Sequence, residues 1–369
     1  MSRAQTDVRE NSLLSPFFIF FLIHSSQTGI GMLSFQRDIA KYAEQDAWIS
    51  VLVVGFTLHI ILFLMFKLLD QSPNKNLISL HTEYFGKIIG NALSVVFLVY
   101  FLLLMTTVVH SYVEIINVWA FNTVRPWEFT LIISIVIFLI VSGGFRVITG
   151  IAFWSIFIPI ILFFVLGFTL KFSHFSNLLP LFGHNIKDIL KSSKEATVSF
   201  LGFETLFLFY PFVRKPSKTK MWAHGGLLFT TFLYVLITII TFAFFSGGQL
   251  AHIIWPTLVM TKIVQVPFID RFEYIFIFCW LLVVLPPICL CIWSISRGMK
   301  EMFNLKPSYT LIGILILLNL TTIVLNERDS FEMIKTLASL SGFYILLLYI
   351  PILYLFVLIV NKFFRRKAN

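Results

Sequence analysis

Nine stretches of this chain run for 17 to 41 residues without a single Asp, Glu, Lys or Arg: 11–36, 47–66, 88–113, 129–145, 147–170, 221–261, 274–296, 307–326 and 336–361. A tenth, 196–213, would qualify but for one acid, Glu204. About 20 consecutive apolar residues are what a helix needs to cross the hydrocarbon core of a bilayer. Backbone in that core must satisfy its own hydrogen bonds, which leaves helices or a closed barrel. Barrel strands are short and alternate in polarity, unlike these uniformly apolar runs. The expectation is an all-α membrane protein of about ten transmembrane helices. The 221–261 run exceeds one span, so Gly247-Gly248 are expected to end it and 249–261 to cap the outer surface.

Composition excludes the soluble alternative. Charged residues are 12% of the chain and hydrophobic ones 58%, with 43 phenylalanines and a mean hydropathy of +0.90; a soluble domain carries about 25% charged residues. The net charge of +10 does not indicate a nucleic-acid partner, because the basic residues fall in the short connections, as the positive-inside rule places them. Inner connections hold 17 Lys and Arg and outer ones 11 when both termini are cytoplasmic. The 214–220 loop and the basic tail 362–369 weigh most; Lys187, Lys191 and Lys194 weigh against, and 185–197 reads as an amphipathic surface helix. The polar first eleven residues, with no small-residue cleavage site beyond, give no sign of a signal peptide. Cys279, Cys289 and Cys291 share one apolar run without zinc-site spacing. They are expected to be buried and reduced, and no metal or cofactor is expected. The loops lack a phosphate-binding glycine loop or a nucleophile–base arrangement and are too short for a catalytic domain, so the chain is not read as an enzyme.

The first run contains the most informative local pattern. His24, Ser25, Ser26, Gln27 and Thr28 crowd directly before Gly29-Ile30-Gly31. Glycine alone marks close helix packing as readily as a break; five consecutive polar residues beside it point to unwound, ligand-lining backbone. In the sixth run Gly202-Phe203-Glu204 repeats the theme. A charged group at mid-bilayer costs about 2.5–3.5 kcal/mol on insertion scales, so Glu204 should face a cavity or a partner. Interruptions at corresponding places in two halves point to a transporter-type site at the midplane. Half-helix amides can hold a carboxylate there, and freed carbonyls an ammonium.

These same residues carry a resemblance. Thr28-Gly29-Ile30-Gly31-Met32-Leu33 and Ser199-Phe200-Leu201-Gly202-Phe203-Glu204 resemble the first- and sixth-helix motifs of the amino acid–polyamine–organocation permeases. Gly31 through Ala40, followed by Gln45-Asp46-Ala47-Trp48-Ile49-Ser50, is similar to the B subunits of spore germinant receptors, with Phe35-Gln36 where a proline is commoner. The resemblance implies a LeuT-like fold of five plus five inverted spans with helices 1 and 6 broken. The repeats would cover about 11–171 and 185–361 in a single domain, 1–369. It also implies a nutrient sensor in the spore inner membrane, working with A and C subunits and responding to an amino acid or sugar. The ligand-lining set expected is Thr28, Gly29, Ile30, Gly31, Phe200, Gly202, Phe203 and Glu204, with Tyr100 laid against the ligand or simply packed. His110 and Glu114, four apart on one helix face, form a candidate gating or polar pair. Pro286-Pro287 should kink the eighth span. A sodium- or proton-coupled amino-acid transporter and a ligand-free structural subunit stay open as alternatives. The first is weakened because span five lacks a lysine at mid-depth and span eight lacks Ser or Thr between Tyr274 and Trp293.

Overall fold

A computed structural model describes residues 13–214, 216–264, 270–324 and 328–365. Among them every regular element is helical, apart from one isolated bridge between Leu14 and Val213. In chain order the α-helices are α1 (Phe18–Gln27), α2 (Gly31–Ala43), α3 (Ala47–Gln71), α4 (Leu77–Trp119), α5 (Pro126–Ser142), α6 (Phe145–Leu166) and α7 (Ile186–Val198). After a break come α8 (Leu206–Phe209), α9 (Pro216–Phe244), α10 (Gly247–Leu250), α11 (Pro256–Thr261), α12 (Phe272–Phe303), α13 (Pro307–Val324), α14 (Arg328–Tyr344) and α15 (Ile350–Val360).

Among the described residues six helical segments are long and apolar enough to cross a membrane: Gly31–Gln71, Leu77–Trp119, Lys218–Phe244, Phe272–Phe303, Pro307–Val324 and Phe331–Phe363. The pair α5 and α6, bent by 118° at Gly143-Gly144, makes a seventh if counted as one. This is fewer than the ten apolar runs because runs and helices do not coincide. The first run is divided between the ten-residue α1 and the start of α2. The sixth contributes the last three residues of α7 and the four of α8, with short 3₁₀ turns beside them. Side chains facing outward are as greasy as those inside: Phe56 is 71% exposed, Ile88 87% and Val324 74%, a surface suited to lipid rather than water.

Three segments expected from the sequence take definite form. The 185–197 segment is helical, as its amphipathic pattern leads one to expect. As α7 it packs along α2 and α3, with Ser192 donating to the Ile39 carbonyl (3.0 Å) and Ser50 to that of Ile189 (3.1 Å), and it leads directly into the break before α8. Its lysines occupy the face away from that packing, which is why the segment reads as amphipathic. Gly247-Gly248 do not end the long run. α9 stops at Phe244, and the glycines open α10, capped by Ser246 through reciprocal bonds with Gln249. α11 then folds back on α2, where Gln36 donates to Thr257 (2.9 Å) and Thr257 to the Met32 carbonyl (3.2 Å). Pro286 and Pro287 lie in the interior of α12.

Close helix approach sets the packing. A β-carbon on Gly226 of α9 would lie 2.5 Å from the Phe20 carbonyl oxygen of α1, so the two backbones touch as small residues permit in membrane bundles. His24 on α1 reaches Thr230 on α9 (2.9 Å). The pair α1–α9 thereby fixes where the first break sits, and α12 closes it from the opposite side.

Candidate functional site

α1 stops at Gln27, Thr28 is extended (φ −101°, ψ 130°), and α2 restarts at Gly31. The second break follows α7: residues 199–202 leave the helix, Gly202 adopts φ +117°, and a 3₁₀ turn from Phe203 to Thr205 leads into α8. The breaks lie against each other. A β-carbon on Gly202 would fall 2.3 Å from the Ser26 carbonyl oxygen, and one on Gly31 would meet Ser199 at 3.3 Å. Glycine is therefore required at 202 twice over, by backbone conformation and by contact.

Between the breaks is a cavity of about 60 Å³, room for a few waters. Thr28, Gly29, Ile30 and Gly31 line it from the first break, Ser199 and Leu201 from the second, and Leu104, Pro287 and Cys291 from α4 and α12. Thr28 spends its hydroxyl on the His24 carbonyl (3.1 Å), and the Gly29 carbonyl accepts from the Trp280 indole (3.3 Å).

Other expected site residues are gathered here but face away from the cavity. Glu204, fully buried, accepts the Gly202 amide (2.6 Å) with one oxygen and the Tyr100 hydroxyl (3.0 Å) with the other. The carboxyl group closes the second break on itself, and Tyr100 holds it from α4. Phe200 packs its ring on Tyr234 with centroids 4.7 Å apart, and Phe203 is fully buried. His110 is part of a different cluster: its Nε2 lies 3.3 Å from Thr321 and 3.1 Å from Thr322 on α13, and its ring stacks on Phe331. Glu114, one turn further along α4, is half-buried.

Two residues outside the expected set matter most. Gln27 lines the cavity, is 2% exposed, and neither its amide nitrogen nor its amide oxygen has a hydrogen-bond partner. Burying an amide unpaired costs about 1–3 kcal/mol on protein mutational scales, so this side chain is held ready for a partner. Tyr234 on α9 spans the breaks: its hydroxyl lies 3.0 Å from the Gln27 carbonyl and 2.9 Å from that of Ser199. Its position inside a long apolar run gave no sequence sign of this. Gln27 stood in plain view among the polar residues before Gly29. Among the described residues no group of three His, Cys, Asp or Glu side chains is placed to hold a metal ion, and the three cysteines are free thiols.

Long apolar helices packed around two facing helix breaks define a permease-like membrane protein. The chain belongs to the spore germination protein family, whose model matches residues 13–331. It is 39% identical to the spore germination protein GerQB of Bacillus cereus over 342 residues, 93% of this chain and 95% of that one. Spore germination proteins YndE and A2 of Bacillus subtilis (strain 168) are each 25% identical, over 84% and 86% of this chain and 87% of their own lengths.

Proposed function

We propose that this chain is the nutrient-sensing membrane subunit of a spore germinant receptor and that it binds a small germinant, of the amino-acid class, between the breaks of helices 1 and 6. The observation that carries the reading is the buried, unpartnered Gln27 amide in a cavity walled by unwound backbone. An amide offers both donor and acceptor, as a zwitterion requires. The exposed amides at the start of α2 would hold the carboxylate. The small cavity marks a closed state, since pockets for small ligands usually measure about 300–1,000 Å³; binding would part the half-helices and so alter the bundle, which is how occupancy becomes a message. Thr28, Gly29, Ile30 and Gly31 would contact the ligand directly. Phe200, Gly202, Phe203, Glu204 and Tyr100 would hold the facing break in shape.

The same reading takes the ten apolar runs as ten spans in two inverted sets of five, with α1–α2 and α7–α8 as the broken members. It places both termini in the cytoplasm and the chain in the spore inner membrane beside A and C subunits. Uptake and binding of a labelled amino-acid panel by proteoliposomes containing the purified chain tests the ligand assignment. Saturable retention near one ligand per chain, abolished in Gln27→Leu, is the expected result. Accumulation beyond that stoichiometry under an imposed proton or sodium gradient would make the chain a transporter. Retention unaffected by Gln27→Leu would overturn the site.

A further inference from the structure

A second cavity, about 490 Å³, lies at the opposite end of α12 from the Arg271–Glu273 pair, where the α5–α6 turn meets the α12–α13 connection. Arg146, Arg297 and Lys300 all line it, and no carboxylate does. Among the described residues none of the three is in a salt bridge. Arg146 donates one bond to the Leu13 carbonyl (3.4 Å), and Arg297 lies over the Phe212 ring at 5.3 Å. Glu301, the acid next in line on α12, is turned to Asn76, whose amide nitrogen donates to both its oxygens at 3.1 and 3.0 Å.

Arg146, Arg297 and Lys300 gather positive charge at one cavity, offset in part at Arg297 by Glu301 on the next turn, and an anion between them is favoured. The backbone adds to this field. α6 begins at Phe145 and α13 at Pro307, and both first turns border the cavity; helix starts carry positive dipole ends, although at α13 Pro307 has no amide hydrogen and Tyr309 and Thr310 donate to the Lys306 carbonyl. Ser296, 3% exposed, also lines it with a hydroxyl that has no hydrogen-bond partner. Guanidinium groups match phosphate oxygens in pairs, and a lysine supplies a point charge beside them.

We infer that this cavity binds a phosphoryl anion, supplied by an anionic phospholipid headgroup or by a free phosphate compound. Occupancy would be felt by the second break. Trp293 forms the cavity floor with Phe145 and Phe212, stacked on the first at 4.6 Å and edge-on to the second at 5.0 Å, and Phe145 packs on Phe209 at the end of α8. The inference stands on these residues alone and does not depend on a ligand at the helix breaks.

Native mass spectrometry of the full chain in neutral detergent tests it, with phosphatidylglycerol and inorganic pyrophosphate as probes and phosphatidylcholine as control. A triple variant R146Q/R297Q/K300Q is compared with K187Q/K191Q/K194Q, which removes equal charge from α7. The expected result is at least tenfold weaker anion binding in the first variant and little change in the second. Phosphatidylglycerol bound in preference to pyrophosphate identifies the lipid as the source, and the reverse identifies a soluble phosphate; either supports the site. Equal losses in the two variants, or no binding of either probe by the wild-type chain, would overturn it. Should the first variant fail to fold, hydrogen exchange on the wild-type chain decides: slower exchange at 143–146 and 306–309 with either probe supports the site, and unchanged exchange refutes it.

Discussion

The two breaks are built from similar residues and left in opposite conditions. At the second, the carboxyl and hydroxyl groups of Glu204 and Thr205 are spent locally: Glu204 takes the Gly202 amide and the Tyr100 hydroxyl, and Thr205 donates to the Gly202 carbonyl (2.8 Å). At the first, Gln27 is left with neither amide atom bonded. One break is sealed and acts as a wall. The other keeps a donor and an acceptor in reserve beside the cavity.

Substitutions at the two breaks should therefore separate stability from ligand response. Gly202→Val is expected to be the most damaging, at about 3 kcal/mol or more. Left-handed backbone costs a branched residue about 1–3 kcal/mol, and the Ser26 carbonyl must also move away, an overpacking term of similar size. Thermal unfolding of the purified chain in detergent checks this. Glu204→Leu comes next: it strands the Gly202 amide and the Tyr100 hydroxyl, at about 1–3 kcal/mol for each. Retention of wild-type stability in that variant would show that the second break is not sealed by this carboxyl group. Tyr234→Phe removes the bond shared by the Gln27 and Ser199 carbonyls, for about 1 kcal/mol. Gly31→Ala should stay within about 1 kcal/mol, because the Ser199 hydroxyl in its way at 3.3 Å is free to rotate. Gln27→Leu should have the smallest effect on stability, near zero or a slight gain, since it deletes a buried amide that nothing satisfies. Its half-maximal germinant concentration in spores should nevertheless rise at least tenfold, about 1.4 kcal/mol. A stability loss as large as that of Glu204→Leu would dissolve the contrast between the breaks.

Legibility in the sequence followed the same divide. The first break was readable because polar residues and two glycines interrupt an otherwise apolar run, a conflict of local and global pattern that marks functional sites. The second was located at Gly202 and Glu204, without the link to the helix that leads into it. Lys187, Lys191 and Lys194 break the uncharged run, so a rule based on lipid-length stretches could not join α7 to α8. Tyr100 and Glu204 were each singled out for a ligand. Their mutual bond spans 104 positions and was invisible without the fold. The cavity at Arg146, Arg297 and Lys300 stayed hidden for the same reason: dispersed along the chain, they read only as orientation charges.

Tyr234 has one hydroxyl hydrogen and two carbonyl oxygens within reach of it. Such an arrangement behaves as a hinge pin more than as a rivet. When the breaks move apart, the hydrogen can settle on either side, and a full bond survives on the side it chooses. The first increment of opening thus loses only the weaker share of a divided bond, while complete separation still has to overcome the close contact of Gly202 with Ser26. On the proposed function, a contact of this kind would hold the breaks together at rest and yield to a ligand that parts them.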